Sequence, residues 1–138
     1  MRLILFFLLL SATLFAQPVD FFDTARNRHI PGMIYPGGDK LAIIGACYGC
    51  EKGMYAFLSK ALVAEGYTVV SIEHEQPQDE PLATTGDIYK LRYPVWERGV
   101  QNLKFVLAEM YKRQPALAAT KPVLIGHSNG GDIAMLYA

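Results

Sequence analysis

Ser128 stands at the centre of Gly126-His127-Ser128-Asn129-Gly130-Gly131, a G-x-S-x-G pattern. That spacing suits a serine raised on a tight turn between a strand and a helix, with its hydroxyl free to attack an acyl carbonyl. Glycines two before and two after it let neighbouring backbone approach the turn closely. Such a turn places the backbone N–H of Asn129 at a helix N-terminus, aimed at the oxygen of the attacked carbonyl. Losing one donor of this kind costs about 10²–10³ in rate. A second donor is expected from the loop Ala46-Cys47-Tyr48-Gly49, and the N–H of Tyr48 is the candidate. A nucleophilic serine also needs a base, yet none of the ten residues after Ser128 is a histidine. Of the three histidines present, His29 falls in a surface hairpin, His74 caps a strand end, and His127 is expected to point away from Ser128 into the packing around the turn. The catalytic Asp and His are therefore expected beyond Ala138.

Cys47-Tyr48-Gly49-Cys50 is a C-x-x-C between a strand and a helix. It admits a structural disulfide, free thiols, or a redox pair whose first thiolate gains from the helix N-terminus. Two cysteines without companion histidines make a poor zinc site, so no metal is expected, and no cofactor motif is present. Glu73, Glu75, Asp79 and Glu80 form an acidic group, but the prolines among them and their irregular spacing predict a solvated loop. Asp132 reads as a helix-start carboxylate and Trp96 as core. Arg92, Glu97 and Arg98 read as an exposed face or a local ion pair.

A serine on this turn requires a buried strand before it and a helix after it. Pro122-Val123-Leu124-Ile125 supplies the apolar run and Asp132-Ile133-Ala134-Met135-Leu136 the helical pattern. Upstream, Phe21-Phe22 and Ile30 to Tyr35 flank the polar Asp23-Thr24-Ala25-Arg26-Asn27-Arg28, which predicts a β-hairpin. Leu41-Ala42-Ile43-Ile44 is wholly apolar, as in a strand covered on both faces. The spacing predicts a helix over Gly53 to Glu65 with Met54, Phe57, Leu58, Ala61 and Leu62 on its buried face. Thr68-Val69-Val70-Ser71-Ile72 is the next strand. A second helix is expected from Pro94 to Arg113, because Trp96, Val100, Leu103, Leu107 and Met110 recur at steps of four and three. Pro94 then falls in its first turn.

Strands alternating with helices imply βαβ units and a parallel sheet, here behind an antiparallel hairpin. The class is α/β, and the order matches the N-terminal half of an α/β-hydrolase fold. The hairpin supplies the first two strands, residues 41–45 the third, 68–72 the fourth and 122–126 the fifth. The remaining strands are expected beyond Ala138, since the serine-bearing strand would otherwise present an unpaired apolar edge.

Gly126-His127-Ser128-Asn129-Gly130-Gly131-Asp132, behind Leu124-Ile125, resembles the nucleophile elbow of bacterial α/β-hydrolases near the dienelactone hydrolases and platelet-activating-factor acetylhydrolases. Asp23 to Pro31 followed by Tyr35-Pro36 is similar to that group's opening hairpin, and Ala64 to His74 resembles its passage from helix to fourth strand. The resemblance implies a serine hydrolase acting on a small-molecule carboxylic ester through an acyl-enzyme, with the triad in the order Ser, Asp, His. One departure bears on the site: the group usually places His-Gly where this chain has Ala46-Cys47, and a side chain at Cys47 alters the room for the oxyanion loop. A non-catalytic binding protein on the same fold, or a thiol–disulfide protein using Cys47 and Cys50, are the alternatives.

Residues 1–16 have the layout of a secretory signal peptide: Met1-Arg2, an apolar run from Leu3 to Leu10, and Ser11 to Ala16 before Gln17. The run is shorter than the roughly 20 residues that span a bilayer, so cleavage after Ala16 and no stable membrane insertion are expected. Residues 17–138 would then be one exported, periplasmic or secreted, unit that stops after the elbow. In an oxidising compartment Cys47 and Cys50 can be joined. The 13 basic and 13 acidic side chains balance, and no basic stripe marks a nucleic-acid partner. A hydrophobic fraction of 51% suits a packed core.

Overall fold

A computed structural model describes residues 15–138; most of the expected signal segment lies outside them. The first two strands, β1 (Gln17–Asp23) and β2 (Arg28–Tyr35), form an antiparallel hairpin that sets Phe21 opposite Ile30. Its turn is tightened by Asn27 at φ 49°, a conformation asparagine tolerates better than most residues. The chain then lays down β3 (Lys40–Gly45), α1 (Ala56–Ala64), β4 (Tyr67–Ile72), α2 (Ile88–Arg113), β5 (Val123–Gly126) and α3 (Asn129–Tyr137). The sheet order is β1-β2-β4-β3-β5. β2 runs antiparallel to β4, whereas β3 lies parallel to both β4 and β5.

Residues 41–45 of β3 and 68–72 of β4 are buried throughout, because helices cover both faces of the sheet at these strands. Alternate residues divide between two cores. Ile43, Val70 and Ile72 meet Val100, Leu103, Val106 and Leu107 of α2 and Ile133 of α3. Ala42, Ile44 and Val69 meet Tyr55, just ahead of α1, and the half-buried Leu58 and Leu62. Each large aliphatic side chain buried this way contributes about 1.5–3 kcal/mol.

Both helices depart from their predicted form. The first begins at Ala56 after turns at residues 52–55; of its predicted inner face Leu58 and Leu62 pack against the core, and the buried side chains beside them are Tyr55 and Ser59. Met54 and Phe57, expected inside, are 56% and 74% exposed, and Ala61 is exposed too. Ser59 tolerates burial because its hydroxyl donates to the Tyr55 carbonyl at 3.0 Å. The second helix starts at Ile88 rather than Pro94, capped by Asp87, whose carboxylate accepts the Lys90 N–H at 3.1 Å. Pro94 therefore sits inside the helix and removes one backbone donor there. Val100, Leu103, Leu107 and Met110 are buried as their spacing predicts, while Trp96 is half-buried.

On the far side of β5 no strand pairs among the described residues. An apolar groove of about 680 Å³ follows that edge between β5 and α3, lined by Pro122, Leu124, Ala134 and Tyr137 among others.

Candidate active site

Ser128 joins β5 to α3 at φ 53° and ψ −121°. Among the described residues, Asn27 and Ser128 are the non-glycines at positive φ. For a residue with a Cβ this costs of order 1–3 kcal/mol and persists only where the surroundings enforce it. Here they do. His127 N–H donates to the Gly45 carbonyl at 3.2 Å, tying the turn to β3, and the N–H groups of Gly131 and Asp132 donate to the Ser128 carbonyl at 2.7 and 3.0 Å. A Cβ at Gly126 would stand 2.5 Å from Gly131 Cα, and one at Gly130 2.6 Å from the Ala46 carbonyl oxygen. The two glycines are thus set by the close approach of β5, α3 and the end of β3.

Asn129, the first residue of α3, is buried. Its backbone N–H has no acceptor among the described residues, as expected of a first-turn donor. Its side chain is held at both ends: Trp96 Nε1–H donates to Oδ1 at 3.0 Å, and Nδ2 donates to Glu75 Oε1 at 2.7 Å. An indole is only a donor and a carboxylate only an acceptor, so the amide orientation is unique. Burial pushes the Glu75 carboxyl above its usual pKa, while the Asn129 bond and nearby Arg98 oppose the shift.

Across the cleft, the loop after β3 is closed by a disulfide between Cys47 and Cys50, with Cα atoms 5.1 Å apart. Cys50 N–H donates to the Cys47 carbonyl at 3.0 Å, and Ala46 N–H is taken by the Ile72 carbonyl at 3.0 Å. Cys47 N–H donates to the Tyr55 hydroxyl at 3.0 Å. The N–H of Tyr48 is left without an acceptor among the described residues, and its side chain is 43% exposed. The Tyr55 hydroxyl also lies 3.0 Å from His127 Nδ1. His127 is thus turned toward Tyr55 but remains exposed, rather than being packed away as expected.

Of the acidic group after β4, Glu80 is exposed as its composition suggests, but Glu73, Glu75 and Asp79 are half-buried and held by partners. Arg28 Nη1 and Nη2 grip Asp79 at 2.9 and 2.6 Å, Arg98 adds a contact at 3.3 Å, and Gln76 N–H donates to the same carboxylate at 2.8 Å. Burial pushes the Asp79 carboxyl up, but its bonds to Arg28 and Gln76 outweigh that and hold it below the usual range. Glu73 accepts from the backbone and the ammonium of Lys52 at 3.0 and 3.1 Å. Arg98, read from the sequence as part of an exposed face or a local ion pair, pairs with Asp79 in this network.

His74 is 3% exposed. Its carbonyl accepts from Arg28 Nη2 at 2.7 Å and Asn102 Nδ2 at 3.2 Å, while both ring nitrogens are buried with no partner among the described residues. Burial, with Arg28 and Arg98 nearby, pushes its pKa down to about 4, so the ring is neutral at physiological pH. His29 pairs with Asp20 at the surface at 2.5 Å. Asp132 lines a shallow hollow with Tyr89, Tyr93 and Trp96.

No family model matches the sequence, and no curated protein matches it. The fold does recur in solved structures. The complex of DcsB with its substrate analogue superposes at a TM-score of 0.67 with 16% identity, over 88% of this chain and 40% of that one. A cold-adapted esterase from an Arctic intertidal metagenomic library gives 0.65 with 13% identity, over 88% and 54%. The Pyrococcus furiosus esterase Pf2001 gives 0.63 with 19% identity, over 89% and 46%. The chain therefore spans about half the length of the solved chains it matches. At these identities the common ground is the fold, and it is that of α/β-hydrolase-type proteins.

Proposed function

We propose that this chain is the N-terminal part of an exported serine hydrolase that cleaves small carboxylic esters through an acyl-enzyme on Ser128. The observation that carries the reading is the Ser128 backbone: a non-glycine at φ 53° on a strand-to-helix turn, enforced by two glycines that cannot bear a side chain. Backbone outliers that their surroundings enforce cluster at functional sites, and unlike Asn27 in its hairpin turn, Ser128 stands where a strand meets a helix N-terminus. In the proposed reaction Ser128 Oγ attacks the ester carbonyl and passes its proton to a histidine supplied by later chain. The carbonyl electrons move to the oxygen, which accepts from the N–H groups of Asn129 and Tyr48. Collapse of that intermediate expels the alcohol, and water then releases the acid from the serine ester.

Three observations support parts of this reading. Among the described residues the two N–H groups have no acceptor. The β5 edge, without a partner strand among the described residues, and the half-length coverage of the matched chains suit a sheet completed by further polypeptide. The Cys47–Cys50 disulfide suits an oxidising compartment. Kinship with the dienelactone hydrolase branch rests on the elbow and hairpin residues alone.

The test is turnover of a short-chain nitrophenyl ester by the complete polypeptide and by Ser128→Ala. Turnover that disappears with the hydroxyl is expected. Equal turnover by the variant, or none by the wild type under conditions where it is folded, would overturn the proposal.

A further inference from the structure

Tyr55 is buried in the core between α1 and the sheet, yet both partners of its hydroxyl lie in the candidate site. The oxygen accepts the Cys47 N–H at 3.0 Å and lies 3.0 Å from His127 Nδ1. A phenol oxygen can accept as well as donate, so this one hydroxyl bridges the Cys47 N–H and the His127 ring. The two rings meet edge-on, with centroids 6.1 Å apart at 75°. Each partner is one residue ahead of a group in the proposed reaction, Cys47 before Tyr48 and His127 before Ser128. The phenol itself is fixed. Ser59 donates to the Tyr55 carbonyl from both its N–H and its hydroxyl, at 2.9 and 3.0 Å, and the ring packs with Ala42, Ile44, Ala46 and Val69.

We propose that Tyr55 is a positioning residue: its hydroxyl sets the separation of the Tyr48 N–H from the elbow that carries Ser128 and the Asn129 N–H. This inference rests on the serine-hydrolase reading. The two arms belong to different loops. His127 N–H donates to the Gly45 carbonyl at 3.2 Å and fixes the elbow to β3, and Ala46 N–H donates to the Ile72 carbonyl at 3.0 Å and anchors the start of the oxyanion loop. Among the described residues no backbone bond joins residues 47–49 to the elbow. The disulfide closes that loop on itself but does not tie it to the elbow. The phenol supplies the missing tie. A core tyrosine serving only as filler would be replaceable by phenylalanine at no cost to chemistry, because the ring and its packing survive.

The decisive variant is Tyr55→Phe in the complete polypeptide. The kcat for ester hydrolysis, per site titrated with a fluorophosphonate, is expected to fall about tenfold, with KM within about twofold of wild type. A displaced donor loses part of the 10²–10³ that a deleted one loses. His127→Ala is expected to lower kcat similarly, and the double variant to be little worse than either, because both remove one bridge. An unchanged kcat in Tyr55→Phe, or strictly multiplicative losses in the double variant, would overturn the inference while leaving Ser128 as nucleophile. A loss confined to thermal stability would overturn it too. A folded wild type with no turnover would remove the Ser128 reading and this inference together.

Discussion

Acidification below neutral pH should progressively destabilise this protein through His74. The ring is 3% exposed and its pKa is held near 4, against 6.5 when unfolded. Between those values the unfolded chain binds a proton that the folded chain refuses, so stability falls as pH drops through 6.5 and levels off below about 4. At about 1.4 kcal/mol per pH unit, the whole change amounts to about 3 kcal/mol. By pH 5 about 2 kcal/mol of it is already lost. Glu75 works in the opposite direction: its raised folded pKa means that the folded state takes up a proton more readily as pH falls, which favours folding. Asp79 and Asp23, both held below their usual 3.8, lose their contribution only at lower pH. Urea midpoints at pH 7.5 and 5, for wild type and His74→Leu, isolate the imidazole. Leucine removes two buried unpartnered nitrogens, so the variant should be no less stable at pH 7.5 and should lose about 2 kcal/mol less on acidification. Equal acid sensitivity in both proteins would refute the reasoning.

Ser128→Gly relieves the positive φ that Ser128→Ala retains, so in equilibrium unfolding the glycine variant should be about 1 kcal/mol more stable than the alanine variant, with both inactive. Asn129→Ala leaves the Trp96 N–H and the Glu75 carboxylate unpaired beside a buried site and should cost about 2–4 kcal/mol by the same measurement. Glu75→Gln keeps an acceptor for Asn129 and should cost clearly less than Asn129→Ala in parallel melts.

Much of the frame is legible in the chain. The uninterrupted apolar runs around Ile43 and Val70 mark strands covered on both faces, and Gly126 and Gly130 mark the tight turn. The stripe from Val100 to Met110 marks a buried helix face. The inner face of α1 is legible only in part: Leu58 and Leu62 pack inward as their spacing predicts, but Met54 and Phe57 mimic a buried stripe from the outside while Ser59 goes inside on a local bond to Tyr55. The start of α2 is obscured because Pro94 imitates a first-turn proline and draws attention from the Asp87 cap. The site's supports are hidden for a different reason. Arg28 meets Asp79 across 51 residues, Glu75 meets Asn129 across 54, and Tyr55 meets His127 across 72. No local pattern reports such pairs, because the topology of β2, β4, β3 and β5 creates them. A carboxylate beside prolines looks solvated until the arginine that holds it is placed.

The most direct measurement of the central claim is covalent. The complete polypeptide is treated with a fluorophosphonate, digested and mapped by mass spectrometry. The account predicts a single phosphonyl adduct on the peptide carrying Gly126 to Asp132, located at Ser128 and absent after denaturation or in Ser128→Ala. An adduct at another serine, or undiminished labelling of Ser128→Ala, would contradict it.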